Sequence, residues 1–308
     1  MSHTTNKPNL AVELAGLHLK NPVMPASGCF GFGREYGEYY HLNQLGAVVV
    51  KATTLHPRLG NPTPRVTEVT GGMLNAIGLA NPGVDKVLSS ELPWLAERNV
   101  PIIVNAAGDT VDEYCEVVRR ISNSGLAQAI ELNVSCPNVE LGGLAFGVEP
   151  RILKDLVAAV RKHCSIPLFV KLSPNVTSIQ DLALAAEDGG ADGISLINTL
   201  IGMKIDLKTR KPVLANKRGG LSGPAVKPVA VRMVYEVAQV VQLPIIGMGG
   251  IYSGEDAVEF IMAGATAVMV GTANFTNPYA CLQIIKEIEE FMVREGIKDL
   301  EEIRGCAL

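Results

Sequence analysis

The chain has 308 residues, of which 47% are hydrophobic and 19% are charged, and its formal net charge at pH 7 is −4. These values predict one well-filled, soluble domain over residues 1–308, with residues 1–9 as a flexible tail, and they disfavour a nucleic-acid or anionic-membrane surface. No apolar run reaches the roughly 18 to 20 residues that span a bilayer. The polar N-terminus lacks the apolar core of a signal peptide, so we expect a cytoplasmic protein.

Eight short apolar runs, most of them followed by a stretch of helical periodicity, predict eight buried β-strands. In chain order they are PVMPAS ending at Ser27, AVVVK at Lys51, PIIVN at Asn105, AIELNVSC at Asn133 to Cys136, LFVK at Lys171, ISLIN at Asn198, PIIGMGG at Gly250 and AVMVGT at Thr272. Eight alternations of strand and helix predict an α/β fold, the (β/α)8 or TIM barrel, whose active site lies where the strands end. The residues that end these runs are therefore site candidates.

The segments between the strands predict what surrounds the barrel. Residues 10–22 alternate like a β-hairpin, which we expect at the bottom of the barrel before its first strand. Helices are predicted at 36–45, 84–98, 111–124, 150–163, 178–188, 224–241, 253–262 and 278–295, with Thr110, Ser178 and Ser253 as N-caps. The connections 52–83, 137–149 and 199–223 are too long for simple turns. We expect them over the carboxyl face of the barrel, with 137–149 as a lid.

Glycines after the last two runs predict a phosphate site. GMGGIYSGEDA and VMVGTANF place Gly249, Gly250, Gly271 and Thr272 in the loops after strands 7 and 8. These two loops are a recurrent phosphate site in such barrels, because glycines allow backbone N–H groups to approach an anion. The alternative is that the glycines only permit tight turns.

Lys51 and Lys171 each end a run of buried strand residues, which brings an ammonium group into the mouth of the barrel. There a lysine could bind an anionic substrate, stabilise negative charge on a flavin ring, or form a Schiff base. The residue pattern does not choose among these roles. A structural lysine paired with Glu131 or Asp192 is the remaining alternative.

Asn105, Asn133 and Asn198 end three further runs. A buried amide needs hydrogen-bond partners, because an unsatisfied polar group costs roughly 1–3 kcal/mol. Three amides at one cavity predict a ligand with many donors and acceptors, such as a flavin edge or a pyrimidine ring. Alternatively, each asparagine satisfies backbone groups of a neighbouring loop.

Cys136 is the cysteine with a predicted chemical role. The six cysteines include no C-x-x-C pair, so we expect no disulfide framework, no metal site and no self-contained iron–sulfur cluster. Cys136 begins the long loop after the fourth strand, and no histidine is placed by a motif to activate it. A Cys/His hydrolase is therefore a poor fit, and a thiolate acting as a general base is a better one.

Several of these motifs together carry a family resemblance. They are NPVMPASG, VVKATT, NAIGLANPG, ELNVSCPN, VKLSPN, INT, GGLSGP, GMGGI and VGTA, which occur in the expected order over residues 9–295. The chain resembles the catalytic chain of class 1 dihydroorotate dehydrogenases. NAIGL and HPRLGNPTPR make it most similar to the class 1B branch.

The resemblance implies a barrel with one FMN that oxidises dihydroorotate to orotate in pyrimidine (UMP) biosynthesis. The implied FMN contacts are Ser27, Lys51, Ala52, Asn105, Asn133, Lys171, Ile197, Gly223, Gly249, Gly250, Gly271 and Thr272. The implied substrate contacts are Lys51, Asn75, Ala76, Ile77, Gly78, Leu79, Asn133, Asn198 and Thr199. Cys136 would remove the C5 proton of dihydroorotate while a hydride leaves C6 for the flavin.

The resemblance also implies partners. In class 1B enzymes a different subunit with FAD and a [2Fe-2S] cluster passes electrons to NAD+, and a homodimer of the barrel lies within a heterotetramer. Class 1A relatives instead use fumarate without a partner. Three further classes of protein share parts of the pattern: a tRNA dihydrouridine synthase, which the net charge of −4 disfavours, a Schiff-base aldolase, and a non-catalytic anion-binding barrel.

Overall fold

The computed structural model describes residues 7–135 and 146–308. The strands of these ranges are β1 (Val12–Leu14), β2 (Leu17–Leu19), β3 (Val23–Pro25), β4 (Val48–Thr53), β5 (Val66–Val69), β6 (Gly72–Asn75), β7 (Ile102–Ala106), β8 (Ala129–Asn133), β9 (Leu168–Lys171), β10 (Gly193–Leu196), β11 (Leu200–Gly202), β12 (Ile205–Asp206), β13 (Lys211–Pro212), β14 (Gly219–Ser222), β15 (Ile245–Met248) and β16 (Ala267–Val270). The α-helices are α1 (Gly83–Lys86), α2 (Leu92–Ala96), α3 (Val111–Ser122), α4 (Pro150–Arg161), α5 (Ile179–Asp188), α6 (Lys227–Ala238), α7 (Gly254–Met262), α8 (Ala273–Thr276) and α9 (Ala280–Glu295). A π-helical segment, Val87–Glu91, joins α1 to α2.

Eight parallel strands form a nearly closed barrel. Their order is β3-β16-β15-β10-β9-β8-β7-β4, and the Gly46 N–H donates to the Val23 carbonyl at 2.9 Å where the two edge strands meet. Each predicted apolar run contributes one of these strands. Strands covered on both faces are apolar along most of their length, which is why the sequence shows them as apolar runs. The predicted (β/α)8 fold is confirmed.

Amphipathic helices cover the outside of the barrel. In α3, α5 and α7 the N-caps are Thr110, Ser178 and Ser253, and each side chain accepts a hydrogen bond from the backbone N–H three residues later. The predicted caps are therefore confirmed, and each satisfies one of the N–H groups that a helix start leaves unpaired. None of the helices in the described ranges combines the length and the apolarity of a bilayer-crossing helix.

The prediction of a helix over residues 36–45 is wrong. Two single 3-10 turns, Tyr36–Glu38 and Leu42–Gln44, occupy this segment. His41 between them is extended, with φ −71° and ψ 115°, which breaks the run of helical dihedrals. The apolar positions still serve the core, because Leu42 is buried.

The N-terminal hairpin forms as predicted. β1 and β2 pair antiparallel and lead directly into the amino end of β3, with Leu14 and Leu19 buried. Residues 1–6 of the predicted tail lie outside the described residues. Asn9 is attached to the body, since its N–H donates to the Lys298 carbonyl at 2.8 Å and its side chain to Asp299 at 2.7 Å. The single domain over 1–308 stays a prediction.

Two of the long connections build a second sheet after the barrel strands end. Its order is β11-β14-β6-β5, in which β5 and β6 come from the connection after β4, and β11 and β14 from the connection after β10. In the β14–β6 ladder Asn75 lies opposite Gly220. This sheet therefore ties two loops of the carboxyl face together.

Candidate active site

Lys51 lies at an irregularity in β4. The register between β4 and β7 shifts between Val50 and Thr53, and within this shift the Lys51 N–H donates at 2.9 Å to Gly31, in the loop after β3. Bulges of this kind re-aim side chains beside active sites. Burial lowers the pKa of the half-buried Lys51, and no carboxylate of the described chain is paired with its ammonium. Lys51 is thus a cation available to an anionic ligand.

A buried carboxylate, Glu131 of β8, gathers polar side chains from neighbouring strand ends. Its Oε1 accepts hydrogen bonds from Asn105 Nδ2 at 2.6 Å and Ser27 Oγ at 3.1 Å, and its Oε2 accepts one from Ser195 Oγ at 2.8 Å. Lys171 Nζ lies 3.7 Å from Oε1 and donates to Ser27 Oγ at 3.1 Å. We call these five residues the Glu131 network.

The three asparagines divide between this network and the loops. Asn133 Nδ2 donates to Asn105 Oδ1 at 3.4 Å, which joins Asn133 to the network. Asn133 Oδ1 also accepts the Ser135 N–H at 3.3 Å, and Asn198 Oδ1 accepts the Thr199 N–H at 2.8 Å. Asn133 and Asn198 thus support loop backbone, and Asn105 and Asn133 also meet at the strand ends, while binding of a ligand by these amides stays a prediction.

Gly223, Gly249, Gly250, Gly271 and Thr272 lie at the ends of β14, β15 and β16, and we call them the glycine cradle. A Cβ on Gly250 would fall 2.9 Å from the Gly223 carbonyl, and Thr272 Oγ1 bonds to the hydroxyl of Ser222, beside Gly223, at 2.8 Å. Within the described chain the N–H groups after β15 and β16, from Gly249, Gly250, Gly271 and Thr272, have no backbone or side-chain acceptor. Unpaired N–H groups at this position of a barrel fit an anion such as a phosphate.

We expect Gly250→Ala to lower the free energy of unfolding more than Gly16→Ala. Both glycines have positive φ, +82° and +85°, so each variant carries a backbone cost of about 1–2 kcal/mol. An added Cβ at Gly250 would also lie 2.8 Å from the backbone nitrogen of Lys227, whereas no atom lies within 4 Å of an added Cβ at Gly16. Urea unfolding of both variants measures the difference. Equal losses would contradict the close approach of the chain at the glycine cradle.

The segment 75–79 offers a second set of N–H groups. Gly78 and Leu79 both have positive φ, +74° and +53°. Asn61 binds the carbonyl side of this segment, through its N–H to Ile77 O at 2.9 Å and its Nδ2 to Ala76 O at 3.0 Å. In the described chain no acceptor is paired with the N–H groups of residues 77–79. Successive N–H groups in a turn can bind an anion such as a carboxylate.

The sheet over the carboxyl face brings Asn75 and Thr199 to the same place. Asn75 Nδ2 donates to Gly220 O at 3.4 Å, and a Cβ on Gly220 would fall 2.0 Å from Thr199 Oγ1. Asn75 and Thr199, which lie on separate long connections of the sequence, thus meet across Gly220.

The two apolar residues among the FMN candidates, Ala52 and Ile197, lie at strand ends. Ala52 is buried within the shifted segment of β4. Ile197 follows β10, and a Cβ on Gly249 would lie 3.2 Å from its Cγ1. Ile197 therefore lies directly beside the glycine cradle.

The predicted base, Cys136, lies outside the described residues, as do 137–145 of the predicted lid. Among the cysteines of the described ranges, Cys29 is the one on which both candidate lysines act electrostatically. Burial raises the pKa of the Cys29 thiol to about 11, although Lys171 and Lys51 oppose this shift. At neutral pH Cys29 is a thiol, so it is unsuited to act as a base.

Two features of the site were not predicted from the sequence: the central position of Glu131 and any role of Ser195. Glu131 was considered only as a partner for Lys171, which the structure shows, and Asp192 instead pairs with Arg161 at 2.6 Å. The available signal was an acidic residue inside the apolar run AIELN. A carboxylate is rarely buried without partners, so this position was a signal from which a polar network could have been predicted.

The fold and the site define a class of protein: a (β/α)8 barrel whose strand ends carry a glycine cradle, a buried lysine and two buried asparagines. A family model described as Dihydroorotate dehydrogenase matches residues 9–292. The chain therefore belongs to the dihydroorotate dehydrogenase family, as its motifs predicted.

Three relatives share one name, "Dihydroorotate dehydrogenase B (NAD(+)), catalytic subunit". The relative from Geobacillus sp. (strain WCH70) is 60% identical over 296 residues, which are 96% of this chain and 95% of that protein. The relative from Anoxybacillus flavithermus (strain DSM 21510 / WK1) is 61% identical, over 96% of this chain and 95% of its own. The relative from Bacillus cytotoxicus (strain DSM 22905 / CIP 110041 / 391-98 / NVH 391-98) is 59% identical, over 96% of both chains. The similarity thus extends over nearly the full length of each protein.

Proposed function

We propose that this chain is the catalytic subunit of an NAD+-linked dihydroorotate dehydrogenase, which oxidises (S)-dihydroorotate to orotate in pyrimidine biosynthesis in the cytoplasm. One observation carries the proposal: the glycine cradle, Lys171 and two buried asparagines converge at the strand ends of a chain of this family. A phosphate group and a polar ring system bind at the same face of such a barrel.

The residues at the strand ends fit FMN. The unpaired N–H groups of the glycine cradle suit its phosphate. Lys171 places a positive charge at the strand ends, where Ser27, Asn105 and Asn133 offer neutral hydrogen-bonding groups for the ring. Lys51, Ala52 and Ile197 complete the proposed contacts. When bound, FMN supplies the two-electron acceptor for the hydride that leaves C6 of the substrate.

The substrate is held by groups from several loops. The unpaired N–H groups of residues 77–79 are suited to its carboxylate, and Lys51 adds a positive charge. Asn75, Ala76, Asn133, Asn198 and Thr199 complete the proposed contacts. The side-chain amides of the three asparagines and the Thr199 hydroxyl bind the ring without the cost of burying a further charge. Cys136 removes the C5 proton, so that the C5=C6 bond of orotate forms as the hydride leaves C6.

Electrons leave the barrel through a second protein. The relatives carry the words "catalytic subunit" and "NAD(+)" in their names. We assign to this chain a partner subunit with FAD and a [2Fe-2S] cluster, and a homodimer of the barrel within a heterotetramer.

The pH dependence of orotate binding tests the role of Lys51. Burial lowers the pKa of its ammonium, which is charged below that pKa and neutral above it. As the pH rises, orotate affinity should therefore begin to fall at a pH lower than the ordinary lysine pKa of about 10.4. In Lys51→Arg the charge persists, so affinity should persist to higher pH. Orotate dissociation constants measured across this range for both proteins give the answer, and superimposable profiles would contradict the role.

An acceptor assay tests the proposed function. We expect the purified chain to convert (S)-dihydroorotate to orotate with an artificial dye as acceptor, and to reduce NAD+ only when the electron-transfer subunit is added. Efficient use of fumarate by the chain alone would overturn the NAD+ assignment in favour of the class 1A type. Failure to form orotate with any acceptor, despite bound FMN, would overturn the choice of substrate and favour another FMN barrel, such as a tRNA dihydrouridine synthase.

A further inference from the structure

Glu131 is central to the strand ends, yet it belongs to neither proposed set of ligand contacts. Its side chain is 0% exposed, and that of Lys171 beside it is 6% exposed. Its two carboxylate oxygens already accept hydrogen bonds from Asn105, Ser27 and Ser195, so protein groups and not a ligand occupy them. Its effect on the site must therefore pass through the four residues around it.

The strand register places Glu131 level with one proposed FMN contact and two residues before another. Asn105 of β7 lies opposite Glu131, and Lys171 of β9 lies opposite Asn133, two residues farther along β8. Residues two apart in a strand share a face, so Glu131 and Asn133 project to the same side. Three residues of the Glu131 network, namely Ser27, Asn105 and Lys171, are proposed FMN contacts.

The hydrogen bonds to Glu131 determine which atoms face the ligand. A carboxylate only accepts, so the Asn105 amide must direct Nδ2 toward Glu131 and Oδ1 away from it, where Oδ1 meets Asn133 Nδ2. In the same way, Ser27 donates to Glu131 and must accept from Lys171. The carboxylate thus sets the orientation of an amide, a hydroxyl and an ammonium.

The charge of Glu131 acts on the same place. An isolated buried carboxylate is costly, and here three hydrogen-bond donors and a lysine compensate it. Because the carboxylate lies 3.7 Å from the Lys171 ammonium, it also offsets part of the positive charge that a bound ring experiences.

We propose that Glu131 is a positioning residue that orients Ser27, Asn105 and Lys171 toward bound FMN and moderates the positive charge of Lys171. The inference rests on the proposed function. It predicts that Glu131 acts on the redox equilibrium of the flavin without contacting it.

Glu131→Gln tests the proposal through the reduction potential of bound FMN. The amide keeps the shape of the side chain but leaves the Lys171 charge without its counter-ion, which favours the anionic reduced flavin. We expect the equilibrium constant for two-electron reduction to rise about tenfold, or about 30 mV. The dissociation constant of FMN should also rise several-fold, because one acceptor oxygen becomes an NH2 donor and the hydrogen bonds of Asn105, Ser27 and Ser195 must rearrange. An unchanged potential would overturn the proposal.

Ser122→Ala is the matched control. Ser122 is also a buried, hydrogen-bonded residue, but it bonds to Ser165 away from the strand ends. We expect this variant to leave both the potential and the FMN affinity unchanged. A shift equal to that of Glu131→Gln would show a general effect of lost buried hydrogen bonds and would overturn the positioning role.

A second pair of variants covers the case in which Glu131→Gln does not fold. Glu131→Gln/Lys171→Gln removes both charges together, which leaves no unpaired buried ion. Its flavin potential should exceed that of Lys171→Gln alone, and equal potentials would overturn the proposal. A different result would refute the proposed function, namely a wild-type protein whose FMN is not reduced by dihydroorotate. The flavin potentials that test the role of Glu131 could still be measured in that case.

Discussion

Cys136→Ala is expected to slow the reduction of bound FMN by dihydroorotate about 10²–10⁴-fold, the usual contribution of a general base. Alanine removes the only group that we assign to take the C5 proton, while the groups proposed to bind the ring and the phosphate remain. The dissociation constant of orotate should therefore change little. Rapid-mixing absorbance under anaerobic conditions measures the rate, and a spectral titration measures orotate binding.

Two thiol controls accompany this variant. Cys306 is exposed near the C-terminus, so Cys306→Ser should react at the wild-type rate. The second control is Cys29, whose thiol pKa burial raises to about 11 and on which Lys171 and Lys51 act electrostatically. Full activity of Cys136→Ala, together with a comparable loss in Cys29→Ser, would move the base to Cys29 and refute the assignment.

Lys171→Ala is expected to lower the free energy of unfolding of the FMN-free protein by about 3–5 kcal/mol, because it leaves a buried carboxylate unpaired. The Glu131 side chain is 0% exposed, so solvent does not replace the missing ammonium. Urea unfolding of the two proteins measures the loss. A second-site change to Glu131→Gln in the same chain should recover part of it, since no buried charge then remains.

Lys154→Ala is the matched control for this loss. Lys154 also pairs with a carboxylate, that of Asp188 at 3.0 Å, but both side chains are about half exposed. Exposed pairs contribute about 0–1 kcal/mol. If Lys154→Ala and Lys171→Ala lowered the free energy of unfolding equally, the argument that Lys171 compensates a buried carboxylate would be contradicted.

The carboxyl ends of the barrel strands could be predicted from the sequence because the strands themselves are buried. A strand of the barrel is covered on both faces, so it is apolar until the carboxyl end reaches the site, where residues such as Lys51, Asn105 and Lys171 begin. The change from apolar to polar marks both the end of the strand and the site. For this reason one pattern predicted the fold and most of the candidate residues together.

The joining of the long loops was not predictable from such patterns. β6 and β14 are half-buried, and they pair across a long stretch of chain, with Asn75 opposite Gly220. Pairing between distant segments depends on their positions in the folded chain, which local alternation does not encode. The polar contacts of Glu131 have the same origin, because its three hydrogen-bond donors and Lys171 come from four separate strands or strand ends.

Anaerobic titration of the purified, FMN-loaded chain with (S)-dihydroorotate, followed by absorbance, tests the central claim most directly. We predict that the flavin band bleaches fully and that one orotate forms for each FMN reduced. A flavin that stays oxidised with excess dihydroorotate, although it bleaches with a chemical reductant, would contradict the assignment of this chain as a dihydroorotate dehydrogenase.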